Sequence, residues 1–164
     1  MIIAYILKVI VISWMAGHAL TLILKRVISL NKLLQLNFIG NEKVNKLIGV
    51  GVLKWVLVNS FIKYFNRRLQ ISDKKPNLTK LIELREEMAY AETVHLIGFA
   101  YVMVRVFVNI TNDETYSMNA ALFAVNMIGN FYPVLLQQLN KRRIDRLLEM
   151  QRNRPAAIAT GRSF

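Results

Sequence analysis

Four apolar blocks, at residues 2–24, 47–65, 92–110 and 118–139, dominate the chain. Each approaches the roughly 20 residues that a helix needs to cross about 30 Å of hydrocarbon. The expected fold is therefore all-α, a polytopic membrane protein with three to four transmembrane helices and an interfacial amphipathic helix. Within the 164 residues, 54% hydrophobic content coexists with a formal net charge of +12, a combination that soluble globular chains seldom show. The cations lie between long apolar blocks rather than among polar residues and stacking aromatics, which argues against a nucleic-acid partner. With no cysteine, disulfides, thiolate nucleophiles and cysteine-ligated metals are excluded.

Charge asymmetry bears on topology. Lys25, Arg26, Lys32, Lys43 and Lys46 follow the first block, Arg67, Arg68, Lys74, Lys75, Lys80 and Arg85 follow the second, and the C-terminal tail carries seven more cations. Only 111–117 is free of them, with Asp113 and Glu114. Short basic loops collect on the cytoplasmic side. Four crossings would put 25–46 on the same side as the acidic turn, whereas three crossings with block 47–65 lying in the interface put every basic stretch inside and the N-terminus outside. In that second block, Asn59, Ser60, Lys63, Asn66 and Arg67 form one helical stripe opposite Trp55, Leu57, Phe61 and Phe65, which suits an interfacial helix. The first block is read as a retained span stopped by Lys25 and Arg26. Residues 1–150 form a single helical domain in this reading, and 151–164, aperiodic beyond Arg154, a disordered basic tail. The break at 72–80 precedes a helix for which Asn77 or Thr79 can serve as N-cap.

Ionisable groups within such blocks are costly and mark functional sites. Glu92 and His95 share a helix face with Gly98, Val102, Arg105 and Asn109, so this stripe should face protein. His95 is a candidate general base, with Glu92 orienting its ring. A packing stripe fits the same spacing. Glu-x-x-His occurs once, there is no His-Glu-x-x-His, and no metal or other cofactor is expected. Neither histidine is followed by aspartate five residues on, so a His-x4-Asp acyltransferase signature is missing. His18 lies beside Ser13, Gly17 and Thr21, whose small-residue spacing suits close helix contact. In the last block Asn119, Asn126, Asn130, Pro133, Gln137 and Asn140 project along one side of an ideal helix. This amide seam either holds helices together or lines a polar cleft, with Pro133 kinking the helix. Lys141-Arg142-Arg143 opens a basic amphipathic helix, fit for anchoring to anionic lipid or for a donor's phosphates.

Ala91-Glu92-x-x-His95-x-Ile97, a hydrophobic segment, and then Asn130-x-Tyr132-Pro133-x3-Gln137-x2-Asn140-x2-Arg143 resemble the glycosyl-diaponeurosporenoate acyltransferases, small bacterial membrane proteins, over about residues 85–150. The chain departs from that pattern at Leu96, where the family has Trp, and at Gln138 and Leu139, where it has Arg-Tyr. The resemblance implies acyl transfer from a thioester to a hydroxyl of a lipid or glycolipid in the bacterial cytoplasmic membrane, with the C-terminus inside. His95 and Glu92 would be catalytic, and Asn130, Gln137, Asn140, Arg143 and Arg105 would bind substrate. Expected partners are membrane lipids and an acyl-CoA or acyl-carrier-protein donor, with a homo-oligomer admitted. The alternative is a non-enzymatic helical subunit or scaffold that associates through the polar stripe.

Overall fold

The computed structural model describes residues 2–28, 38, 77–112 and 115–159, with side chains to residue 152. Among these residues every regular element is helical. Helix α1 spans Ile2–Val27, α2 spans Leu78–Thr111 and α3 spans Tyr116–Asn126. A π-helical turn, Met127–Phe131, then leads without a break into α4, Tyr132–Ala159. Three helical stretches, Ile2–Val27, Leu78–Thr111 and Tyr116–Arg152, are long and apolar enough to cross a membrane. Block 47–65, expected in the interface, lies outside the described residues.

Helix α2 packs against α1, α3 and α4, and α1 also touches α3. At 34 residues α2 is about 51 Å long, well beyond the hydrocarbon thickness. Its charged first turns, through Glu87, extend past the apolar stretch. Asn77 stands at the N-cap with extended backbone, without a side-chain capping bond. At this end Leu81, Met88 and Ile144 are buried together, and Arg85 pairs with Asp145 across the helices. Toward the other end Ile6, Val9 and Ile10 of α1 pack with Val102 and Val106 of α2 and Leu122 of α3. Many large apolar side chains point outward instead, among them Ile3, Met15, Ile23, Val104, Phe107 and Ile128. Such an exposed apolar surface suits lipid rather than water.

Between apolar helices in a bilayer the hydrophobic effect contributes little, so close packing and polar contacts must hold them. Ser13, Gly17 and Thr21, spaced four apart, are all buried on α1. The Ser13 and Thr21 hydroxyls donate to the carbonyls of Ile10 and Gly17 at 2.7 and 2.6 Å, which satisfies them within their own helix. Gly17 lies directly against the Val94 carbonyl of α2, where a Cβ would collide with backbone. Nearby, the Tyr90 hydroxyl and His18 Nδ1 are hydrogen-bonded at 2.8 Å with the rings edge to face, and His18 is exposed.

Two features of the last helix go beyond what the sequence showed. Pro133 has no N–H for the Gly129 carbonyl, and its ring crowds that turn. The chain answers by widening the preceding turn, so that the Tyr132 N–H bonds to the Met127 carbonyl five residues back. A π-helical turn thus accommodates the proline. The backbone also remains helical through Ala159, past the point at which the sequence loses periodicity.

Gly17→Leu should separate α1 from α2 and lower the thermal midpoint of the detergent-purified protein, by an amount corresponding to about 1–3 kcal/mol of overpacking. Gly129→Ala should leave the midpoint within error, since the nearest atoms to its added Cβ would be 3.9 Å away.

Candidate functional site

The π turn places Asn130 where three helices meet. Its Nδ2 donates to Asn126 Oδ1 at 2.8 Å and to Ser13 Oγ of α1 at 3.3 Å. Its Oδ1 lies 3.4 Å from His95 Nδ1 on α2. Gly98 makes this possible, for a Cβ there would lie 2.9 Å from Asn130 Oδ1 and 3.3 Å from the Ser13 carbonyl. Phe131 packs beside it, its ring 5.5 Å from that of Phe99 and 6.3 Å from that of Phe38.

The direction of these bonds is fixed from one end. Asn126 Nδ2 donates at 3.2 Å to the Phe99 carbonyl, a group that only accepts. Asn126 must therefore turn its own carbonyl to Asn130, and Asn130 must meet it with Nδ2. Ser13, having given its proton to Ile10, accepts from the same Nδ2. What remains to face the histidine is the Asn130 carbonyl, which needs a donor. His95 supplies it as Nδ1–H, and Nε2 is left with the lone pair. Asn130 is fully buried, and the His95 ring is partly exposed. The arrangement produces the imidazole tautomer that a general base needs.

Glu92, one turn earlier on α2, has different partners. Fully buried, it accepts from Gln138 Nε2 at 2.9 Å and forms an ion pair with Lys141. Gln138 in turn accepts from the Phe38 N–H at 3.0 Å, so both ends of its amide are used. The Glu92 carboxylate is thus committed to α4, and it is Asn130 rather than Glu92 that holds the His95 ring. Gln138 and Lys141 escaped the sequence reading because that reading carried an ideal 3.6-residue register straight through Pro133. The widened turn adds about one residue to the register, moving the face toward α2 from Gln137 and Asn140 to Gln138, Lys141 and Asp145. An acid inside an apolar block requires a cation. Lys141, the first one past the last block, was the available signal.

The other sequence candidates divide. Asn140 is buried and Gln137 partly so, both beside the Glu92–Gln138–Lys141 group along α4, while Arg143 is exposed. Arg105 belongs elsewhere: about three turns farther along α2, its Nη2 donates to the Tyr5 hydroxyl at 3.1 Å, and Asn109 Nδ2 reaches the same hydroxyl at 3.2 Å. Among the described residues no group of three or more His, Asp or Glu side chains is placed to hold a metal ion.

A model of the glycosyl-4,4'-diaponeurosporenoate acyltransferase family matches residues 25–150, which takes in the π turn, His95, Asn130 and the whole Glu92 group. No curated protein and no solved structure matches the chain.

Lys141→Met strands a buried carboxylate and should destabilise the protein by about 3–5 kcal/mol. Glu92→Gln combined with Lys141→Met should recover most of that loss, as measured by thermal unfolding in one detergent. A double variant no more stable than Lys141→Met alone would show that the two charges do not depend on one another.

Proposed function

The chain belongs to the glycosyl-4,4'-diaponeurosporenoate acyltransferase family, and from that membership and the geometry around His95 we propose that it transfers a fatty acyl group. The donor is a thioester, acyl-CoA or acyl-carrier protein, and the acceptor is a hydroxyl of a membrane-resident glycolipid. The observation that supports this reading is the fixed direction of the hydrogen-bond chain from the Phe99 carbonyl through Asn126 and Asn130 to His95 Nδ1. That chain leaves the Nε2 lone pair to accept a proton, and among the described residues Nε2 has no hydrogen-bond partner.

In the proposed step an acceptor hydroxyl gives its proton to His95 Nε2 as its oxygen attacks the thioester carbonyl carbon. The tetrahedral oxyanion collapses, the C–S bond breaks, and the imidazolium returns the proton to the departing sulfur. The products are the ester and a free thiol, and the histidine is restored. As the ring becomes cationic, the Asn130 carbonyl facing Nδ1 stabilises it through a charge-assisted hydrogen bond. Glu92 acts at one remove, fastening α4 to α2 at the level of the site.

Long apolar helices suit an acceptor that stays dissolved in lipid, and the exposed Arg143, about three turns into α4, suits the phosphates of a soluble donor. We infer a location in the bacterial cytoplasmic membrane with the C-terminus inside, because that orientation puts the basic stretches on the cytoplasmic side.

Native lipid mass spectrometry on cells with and without the protein should reveal an acylated glycolipid that depends on it. His95→Gln, at equal abundance in the membrane, should reduce that species by about 100-fold or more. Undiminished product from His95→Gln would remove the acyl-transfer assignment.

A further inference from the structure

Among the described residues, the end of the bundle remote from Lys141 holds cations but no acid. Neither α1 nor α3 contains Asp or Glu. On α2 the nearest carboxylate before Arg105 is Glu92, about 20 Å back along the helix and committed to Lys141. Arg105 nevertheless stands within the apolar stretch of α2, about 9 Å before its C-terminus. Its Nη2 donates to the Tyr5 hydroxyl of α1 at 3.1 Å, and among the described residues the guanidinium makes no other hydrogen bond and no ion pair. Because arginine only donates, Tyr5 must accept from it, whichever way the Asn109 amide beside them is turned. Most of the guanidinium fork is left with N–H groups to spend.

A second cation lies close by in the fold. Lys8 is one turn on from Tyr5 along α1, is exposed, and has neither an ion pair nor a hydrogen bond among the described residues. The surface around these groups is apolar, with Leu7, Val104 and Phe107 all exposed. A cation at such a place in a span is costly unless something anionic meets it. The ligand that suits it brings anionic oxygens and acyl chains together. A planar guanidinium fork matches the oxygens of a phosphate, and the long stems of Arg and Lys carry their charges toward headgroup level. A zwitterionic headgroup fits less well, since its own ammonium would meet Lys8.

We propose that Arg105 and Lys8, steadied by Tyr5, bind the phosphate of an anionic glycerophospholipid that straddles α1 and α2. The phosphate takes the N–H groups that Tyr5 leaves over, and the acyl chains lie along Val104 and Phe107. In the orientation inferred above, this is a lipid of the outer leaflet. The site is about 15 Å along α2 from His95 and does not depend on the acyl-transfer reading. Its consequence is mechanical. Tyr5, Arg105 and Asn109 join α1 to α2 at this end, and a bound lipid completes that joint.

The test titrates the detergent-purified full chain with dioctanoyl phosphatidylglycerol and follows the thermal midpoint. Wild-type protein should be stabilised saturably, less by dioctanoyl phosphatidylcholine, and not by dioctanoylglycerol or inorganic phosphate at the same concentration. Arg105→Met should weaken the apparent affinity for phosphatidylglycerol about tenfold and Lys8→Gln about threefold, with Arg105→Lys between wild type and Arg105→Met. Lys25→Gln combined with Arg26→Gln, which removes exposed cations from the other end of α1, should leave that affinity unchanged. Should Arg105→Met fail to fold, Arg105→Lys and Lys8→Gln carry the comparison. Equal affinity in wild type and the Arg105 variants would overturn the site. So would an equal loss in the Lys25/Arg26 double variant, the mark of diffuse attraction to anionic lipid. Stabilisation by inorganic phosphate as strong as that by the lipid would overturn the lipid as the source of the phosphate. A protein that responds only after Asp113→Asn and Glu114→Gln would show Arg105 paired within its own chain, and would also overturn the proposal.

Discussion

Three helices meet at a single carboxamide, that of Asn130, and the bonds it makes decide both how they pack and what His95 can do. A bilayer interior offers no water to complete a hydrogen bond, so a polar group there must find its partner in the bundle. Asn130 reaches Ser13 on α1, Asn126 on its own helix and His95 on α2. Each of those neighbours is constrained by a backbone carbonyl or by the one after it, so the donors and acceptors can run in only one direction. Gly98 is small enough to admit the amide, and the widened turn before Pro133 aims it.

The Glu92–Lys141–Gln138 group solves a different problem at a neighbouring level. Two opposite charges are buried with little exposure, where their desolvation is costly and their mutual attraction correspondingly strong. Such a pair is a poor source of net stability but a strict specifier of alignment, because any slip of α4 along α2 leaves a carboxylate or an ammonium unpaired. The ion pair of Arg85 with Asp145 reinforces that alignment nearer the α2 N-terminus. Alignment matters because His95 and Asn130 lie on different helices, and a slip of a single turn would part them.

Much of this was legible before any coordinates. Apolar block length predicted three of the helices, the spacing of Ser13, Gly17 and Thr21 predicted a close helix contact on α1, and the stripe from Glu92 to Asn109 predicted which side of α2 turns inward. The register after Pro133 was not legible. Periodicity assumes 3.6 residues per turn, and one extra residue in a π turn rotates everything that follows. For that reason Gln137 and Asn140 stood out in the sequence whereas Gln138 and Lys141 made the contacts. Lys141 was also concealed by its company, since a cation heading a basic run reads as part of a solvated face. Arg105 shares its helical stripe with His95, but rise along the helix separates the two, and it sits with Tyr5 and Asn109 instead.

The central claim is that hydrogen-bond direction leaves His95 with a proton on Nδ1 and a bare Nε2. Nitrogen-15 NMR of the His95 ring in nanodiscs, assigned with the aid of His18→Gln, reads this directly. The account predicts a neutral ring with Nδ1 protonated and Nε2 unprotonated, and loss of that preference in Asn130→Leu. A ring found with the proton on Nε2 and none on Nδ1 would contradict it, since no base would then face the acceptor.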